Sequence, residues 1–109
     1  MSWVAVCGVD EIAPATAACA LLHGQQVALV RFGDQVFALD NLDPFSGAFV
    51  IARGIVGDAG GVPKIASPMH QQTFDLRTGR CLDDPTRALR VWPCRVRDRG
   101  VEVLLEEDR

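Results

Sequence analysis

The fold of this chain is decided by residues 62–85, which read Val-Pro-Lys-Ile-Ala-Ser-Pro-Met-His-Gln-Gln-Thr-Phe-Asp-Leu-Arg-Thr-Gly-Arg-Cys-Leu-Asp-Asp-Pro. A β-prone segment runs into a tight loop at residues 67–70, and a second segment, Thr73–Asp75, leads into a turn at Arg77–Gly79. The stretch therefore predicts a unit made of a strand, a loop, a second strand and a turn.

Short β-prone segments flank this unit on both sides. The turn residues 23–25 and 33–34 separate three of them upstream, and residues 98–100 separate two of them downstream. Connections this short leave no room for a crossover helix, so consecutive strands must run antiparallel. We expect an all-β fold. The predicted strands outside the central unit are residues 3–7, 17–22, 26–32, 35–39, 88–92, 93–97 and 101–105.

Residues 41–62 are the most irregular part of the sequence. They combine Pro44 and several glycines with apolar pieces such as residues 48–51. A long loop in a small domain is usually functional or disordered, and the apolar residues favour a loop that is ordered and packed. The glycine-rich run 54–61 does not fit a phosphate-binding loop, because the β-like segment 62–66 follows it where a helix would be needed.

Length and composition indicate one globular domain spanning residues 1–109, with 49% hydrophobic and 23% charged residues. The net charge of −3 gives no general attraction to nucleic acid or anionic lipid. No apolar run reaches the roughly 18 residues that a membrane helix needs, and residues 1–4 do not resemble a secretion signal. We expect a cytoplasmic protein whose cysteines, Cys7, Cys19, Cys81 and Cys94, are free thiols.

The central stretch resembles the second cluster-binding loop of the Rieske iron–sulfur family, in which Cys-Pro-x-His is followed by Phe-Asp, by a Thr-Gly turn and by Pro. This sequence has Ser67 where that loop has its cysteine. The first loop of the family, Cys-x-His, corresponds here to Asn41-Leu42-Asp43. The family residues that the chain retains are Pro68, His70, Phe74, Asp75, Thr78, Gly79 and Pro85.

The resemblance implies a Rieske-like antiparallel β-sandwich or barrel with a smaller strand-and-loop subdomain. A Rieske centre is held by two thiolates and two imidazoles, and oxygen and amide donors do not replace them as a set. We therefore expect no cluster, no metal site and no catalytic residue in this chain. Its vestigial cluster-loop positions are Asn41, Asp43, Ser67 and His70.

A closer resemblance joins Asn41–Phe45, Gly54–Asp58 and Ser67–His70 to the small subunits of bacterial assimilatory NADH-dependent nitrite reductases. It implies a large partner subunit that carries FAD, an iron–sulfur cluster and sirohaem, and that reduces nitrite to ammonium. The small subunit would stabilise or regulate that partner. Its function would then lie in a surface, since cofactors supply the redox chemistry.

Two other functions remain open from the residues alone. The four vestigial positions could form an atypical redox or mononuclear metal site, although facial-triad iron centres use two histidines and His23 lies in a predicted turn. The glycine-rich segment could instead bind a small ligand. The metal content and the visible spectrum would separate the metal or redox function from an accessory role, and a ligand-induced shift in melting temperature would reveal the ligand-binding function.

Four residues are candidates for contact with a partner. Phe45 and Phe49 lie in the glycine-bearing loop and not in a predicted core strand, so they are the aromatic side chains expected to contact a partner. Arg95 and Arg97 alternate with Arg99, so they are expected to share one face of a strand. That face is either a docking patch or a solvated surface balanced by nearby aspartates.

Overall fold

The structure, a computed structural model, describes residues 1–106. Within them the chain forms ten strands in three antiparallel sheets and two short 3₁₀ turns, Val9–Glu11 and Ile51–Arg53. This confirms the all-β prediction. The strands are β1 (Ser2–Gly8), β2 (Ala17–Leu22), β3 (Gln25–Phe32), β4 (Gln35–Asp40), β5 (Ile55–Ala59), β6 (Val62–Ala66), β7 (Thr73–Asp75), β8 (Val91–Trp92), β9 (Cys94–Arg97) and β10 (Gly100–Leu105).

The central sheet has the order β2-β3-β4-β8. Four consecutive residues of β3, Val27–Val30, are buried. Alternate side chains of a strand point to opposite faces, so this run shows that the central sheet is covered on both sides. The predicted turn between β2 and β3 is confirmed, with positive φ angles of 49° at His23 and 79° at Gly24 that suit a two-residue hairpin connection.

One face of the central sheet packs against the sheet β1-β10-β9. Val27 and Leu29 of β3 meet Val101 and Val103 of β10 in a buried cluster. Burial alternates along β10, because Val101, Val103 and Leu105 point inward and their neighbours do not. These two layers form the predicted sandwich.

The opposite face of the central sheet packs against the sheet β5-β6-β7, which forms the predicted smaller subdomain. Ala28 and Val30 contribute to a second buried cluster together with Ile65 and Phe74. Two loops matter for the site: one follows β4, and the other connects β6 to β7 within the subdomain. We call residues 41–50 loop one and residues 67–72 loop two.

Two predictions of local structure were wrong. Residues 54–61 are not a loop, because β5 pairs along its length with β6 and only Gly60 and Gly61 form the turn. The glycines make the segment look unlike a strand in the sequence, but its pairing with β6 holds it in a strand conformation. Residues 88–92 are not one strand either, since only Val91–Trp92 pairs in the central sheet.

Chain ends without packed neighbours commonly fray, so the sequence predicts a frayed tail at residues 106–109, which lies outside the described residues except for Glu106. Among the described residues, no helix has the length and the apolar character needed to cross a membrane.

Candidate functional site: the two cluster loops

Loop one is fixed by its own backbone. The N–H of Asp43 donates to the carbonyl of Ala48 at 2.8 Å, and the carbonyl of Asp43 accepts from the N–H of Gly47 at 2.9 Å. The loop then returns to its start, where the carbonyl of Asn41 accepts from the N–H of Ile51 at 3.1 Å. These bonds satisfy buried backbone groups, so the loop is ordered, as the sequence predicts.

The two loops are joined by the side chains of Asp43 and Ser67. The hydroxyl of Ser67 donates to Oδ2 of Asp43 at 2.5 Å, and the two residues are 0% and 1% exposed. Oδ1 of Asp43 accepts from the backbone N–H of Phe45 at 2.8 Å. Ser67 Oγ in turn accepts from the N–H of Met69 at 3.3 Å. We call this arrangement the Asp43–Ser67 bridge.

The hydrogen bonds of the bridge affect the pKa of Asp43. Burial acts to raise the pKa of its carboxyl, but the hydrogen bonds from Ser67 and from the N–H groups of Phe45 and Ser46 outweigh burial and leave the pKa below its ordinary value. Asp43 is therefore a buried residue whose charged carboxylate form is stabilised by hydrogen-bond donors.

Asn41 is buried as well, and its amide is bonded elsewhere. Its Nδ2 donates to Oε1 of Gln26 at 3.0 Å and approaches Sγ of Cys19 at 3.6 Å, while its Oδ1 accepts from the N–H of Ala52 at 2.7 Å. Asn41 therefore fastens loop one to β3 and to the 3₁₀ turn that follows the loop.

His70 lies at the surface of loop two, and its imidazole makes no hydrogen bond within residues 1–106. The loop is closed behind it by backbone bonds between Ser67 and the residues Gln71 and Gln72, at 3.0 and 2.9 Å. Gln71 has a φ of 61°, which is unusual for a residue with a side chain. Of the four vestigial positions, the structure brings Asp43 and Ser67 together and leaves Asn41 and His70 apart from that pair.

The residues present do not fit a [2Fe–2S] cluster. The two loops offer a carboxylate, a hydroxyl, an amide and one imidazole, and none of the four cysteines lies on either loop. The carboxylate and the hydroxyl are also hydrogen-bonded to each other, so this buried pair is satisfied without a metal ion. Within residues 1–106, no three His, Cys, Asp or Glu side chains are grouped to hold a single metal ion.

Residues 2–104 match the family model described as the Rieske-like [2Fe-2S] domain. The chain belongs to this Rieske-like family. It is 40% identical over 103 residues to the nitrite reductase (NADH) small subunit of Salmonella typhimurium, covering 93% of this chain and 95% of the relative. This relationship places it among the small subunits of NADH-dependent nitrite reductase, as the sequence resemblance predicts.

Two further comparisons extend this assignment. A crystal structure described as an NADH-dependent nitrite reductase small subunit from Mycobacterium tuberculosis superposes with a TM-score of 0.89 at 45% identity, covering 94% of this chain and 93% of that one. The nitrite reductase [NAD(P)H] large subunit of Klebsiella oxytoca is 48% identical over 101 residues, which are 93% of this chain but only 11% of that protein. The Rieske-like chain thus spans a small part of that relative.

The two aromatic candidates in loop one of the Rieske-like chain differ in exposure. Phe45 is half-buried, and its ring centroid lies 6.3 Å from the ring centroid of Phe74. The guanidinium of Arg87 lies 5.5 Å from the ring centroid of Phe45. Arg87 also donates to the carbonyl of Pro44 at 2.9 Å. Phe49, in contrast, is 53% exposed. Phe45 therefore packs loop one onto the subdomain, and Phe49 is accessible to another molecule.

The predicted arginine face does not form as a set of three. Arg95 donates to Glu102 at 2.6 Å, and its guanidinium lies 3.9 Å from the ring centre of Trp3. Arg97 is exposed, whereas Arg99 lies in the turn before β10, with a φ of 65°, and pairs with Asp10. The turn ends the alternation of side chains, so Arg99 leaves the face that the strand defines.

Several residues that support the site were not foreseen from the sequence. Gln26 and Arg87 hold loop one from segments 15 and 43 residues away. No local pattern marks either of them, because their partners are reached only through the tertiary fold. For β5, the local feature that could have predicted a strand is the pair of adjacent β-branched residues Ile55 and Val56.

Proposed function

We propose that the chain is an accessory subunit of an NADH-dependent nitrite reductase and that it holds no redox centre of its own. The FAD, the iron–sulfur cluster and the sirohaem that reduce nitrite to ammonium would then belong to the large subunit. The chain would act as a single Rieske-like domain whose surface stabilises or regulates that subunit.

The observation that supports this role is the Asp43–Ser67 bridge. A Rieske scaffold uses its two loops to grip iron, and here the same loops are joined by a hydrogen bond of 2.5 Å between buried side chains. An iron–sulfur cluster requires thiolates that these loops lack. No specific observation favours the alternative of an atypical metal or redox site.

The four thiols, Cys7, Cys19, Cys81 and Cys94, are free. Free thiols are typical of proteins in a reducing compartment, so the cytoplasmic location expected from the sequence is part of the same proposal.

Two measurements on the purified proteins test the proposal. The chain alone should be colourless, without stoichiometric iron or acid-labile sulfide, and it should form a stable complex with the large subunit from the same organism. The thermal stability or the NADH-dependent nitrite reduction of the large subunit should change when the chain is added. A red-brown chain with stoichiometric iron and sulfide would overturn the proposal, as would failure to bind the large subunit.

A further inference from the structure

A groove of about 550 Å³ runs along the outer face of the sheet β5-β6-β7 beside loop two. The strand register places Ile55 opposite Ala66, and Gly57 opposite Lys64. These residues point away from Ile65, which is buried in the core on the other face. Because Gly57 and Ala66 are small, the middle of this face leaves room for a side chain from another molecule.

The groove carries an exposed apolar side chain. Ile55 is 77% exposed and lies on β5, the edge strand of its sheet. Pro68 of loop two also lines the groove. A large aliphatic side chain at the edge of a concave surface is a typical feature of an interaction site when polar groups surround it.

The charged groups in the lining are basic. Arg53 and Lys64 line the groove, and the lining contains no carboxylate. A nearby acid, Asp83, accepts hydrogen bonds from the N–H and the hydroxyl of Thr73 at 2.7 and 2.9 Å and also interacts with the charge of Lys64. The chain as a whole has a net charge of −3. The groove is therefore a basic, partly apolar site on an acidic protein, and it complements a segment with apolar and acidic side chains.

We infer that the groove is the docking site for an acidic, apolar segment of the large nitrite reductase subunit. This inference rests on the proposed function, which supplies the partner. The Klebsiella oxytoca relative supports that occupant, because a stretch 48% identical to this chain there belongs to a polypeptide named as the large subunit. In that relative, a domain similar to this chain is thus part of the same polypeptide as the rest of the large subunit.

The decisive variant is Ile55→Glu, with Leu21→Glu as its matched control. Leu21 lies on β2 and is 72% exposed, so the two substitutions place the same charge at equally open positions on different sheets. Binding to the full-length large subunit from the same organism is measured by titration calorimetry. We expect Ile55→Glu to raise the Kd at least about tenfold and Leu21→Glu to leave it nearly unchanged. Both variants should keep the melting temperature of the parent chain.

A second pair of variants tests the charge of the groove. Arg53→Glu should weaken binding and reduce the dependence of the Kd on salt, whereas Arg80→Glu, at an exposed position outside the groove lining, should change neither. If Ile55→Glu and Arg53→Glu both bind like the parent chain, the groove is not the docking site and the proposed function stands. Equal weakening by Leu21→Glu would also overturn the inference. If the parent chain itself does not bind, the proposed function fails.

Discussion

Asp43 and Ser67 occupy two of the three positions at which this chain lacks a Rieske cluster ligand, the third being Asn41. A buried carboxylate without a cation is costly unless donors surround it, and Asp43 receives them from Ser67, from Phe45 and from Ser46. The pair thus joins the two loops directly through buried side chains. Two predictions at this scale follow from that arrangement.

Ser67→Ala should lower the free energy of unfolding by about 1–3 kcal/mol, because it leaves Oδ2 of Asp43 buried without its donor. Urea denaturation followed by circular dichroism measures the loss. Thr86→Ala is the control, since that hydroxyl bonds Asp84 at 2.6 Å in an exposed position. The control should change stability by less than about 0.5 kcal/mol. Equal losses in the two variants would contradict a special role for the Asp43–Ser67 bridge.

The bridge should also make stability depend on pH. The folded-state pKa of Asp43 is below its ordinary value of 3.8, so its stabilising effect is complete above that value and is lost as the pH falls through the lower folded pKa. The stability difference between the parent chain and Asp43→Asn should therefore shrink as the pH falls below about 4. Asp75, Asp83 and Asp84 also have lowered pKa values. The comparison with Asp43→Asn isolates the contribution of Asp43.

At the scale of elements, Gly54 allows the 3₁₀ turn Ile51–Arg53 to enter β5 directly against β6. A Cβ at Gly54 would lie 2.3 Å from the carbonyl oxygen of Ala66, and one at Gly57 would meet nothing within 4 Å. Gly54→Ala should therefore destabilise the protein by about 1–3 kcal/mol, whereas Gly57→Ala should be neutral or slightly stabilising. Thermal unfolding of the two variants measures the contrast. Similar effects would show that β5 and β6 can separate at little cost.

The sheet β1-β10-β9 is braced by Arg95. Its guanidinium pairs with Glu102 of β10 and lies over Trp3 of β1, so one side chain crosses all three strands. Arg95→Ala should cost about 1 kcal/mol, the sum of a partly exposed ion pair and a cation–π contact. Arg97→Ala should cost less than about 0.5 kcal/mol. Chemical denaturation of both variants tests this, and a larger loss for Arg97 would be contrary to the structure.

At the scale of the whole molecule, the central sheet belongs to both cores. Leu29 faces the sandwich core and Val30 faces the subdomain core, although they are neighbours in β3. The two cores should therefore unfold together in one transition. The unfolding curves should coincide when followed by far-ultraviolet circular dichroism and by the fluorescence of Trp3 and Trp92.

A variant in the subdomain core tests this cooperativity. Ile65→Val removes one methylene from the cluster that contains neither tryptophan, and it should lower the stability by about 0.5–1.5 kcal/mol. Tryptophan fluorescence should report the same loss as circular dichroism. If the fluorescence transition stays in place while the other moves, the subdomain unfolds independently.

The sequence by itself determined the class of fold and the absence of a Rieske ligand set. Short turns such as His23-Gly24 force antiparallel pairing, and the replacement of Cys by Ser67 changes the donor chemistry whatever the surroundings. Alternation along β10 likewise marks its buried face without reference to any partner. These features depend on residues that are close together in the chain, so the sequence alone is enough to identify them.

Only the tertiary structure decided which residues meet. Asp43 and Ser67 are 24 residues apart, and nothing local indicates that one donates to the other. The glycines in and beside β5 hide a strand that pairing with β6 creates, and Phe45 packs inward against Phe74. Long-range pairing and packing set these outcomes, because a side chain's environment is made by segments that are distant in sequence.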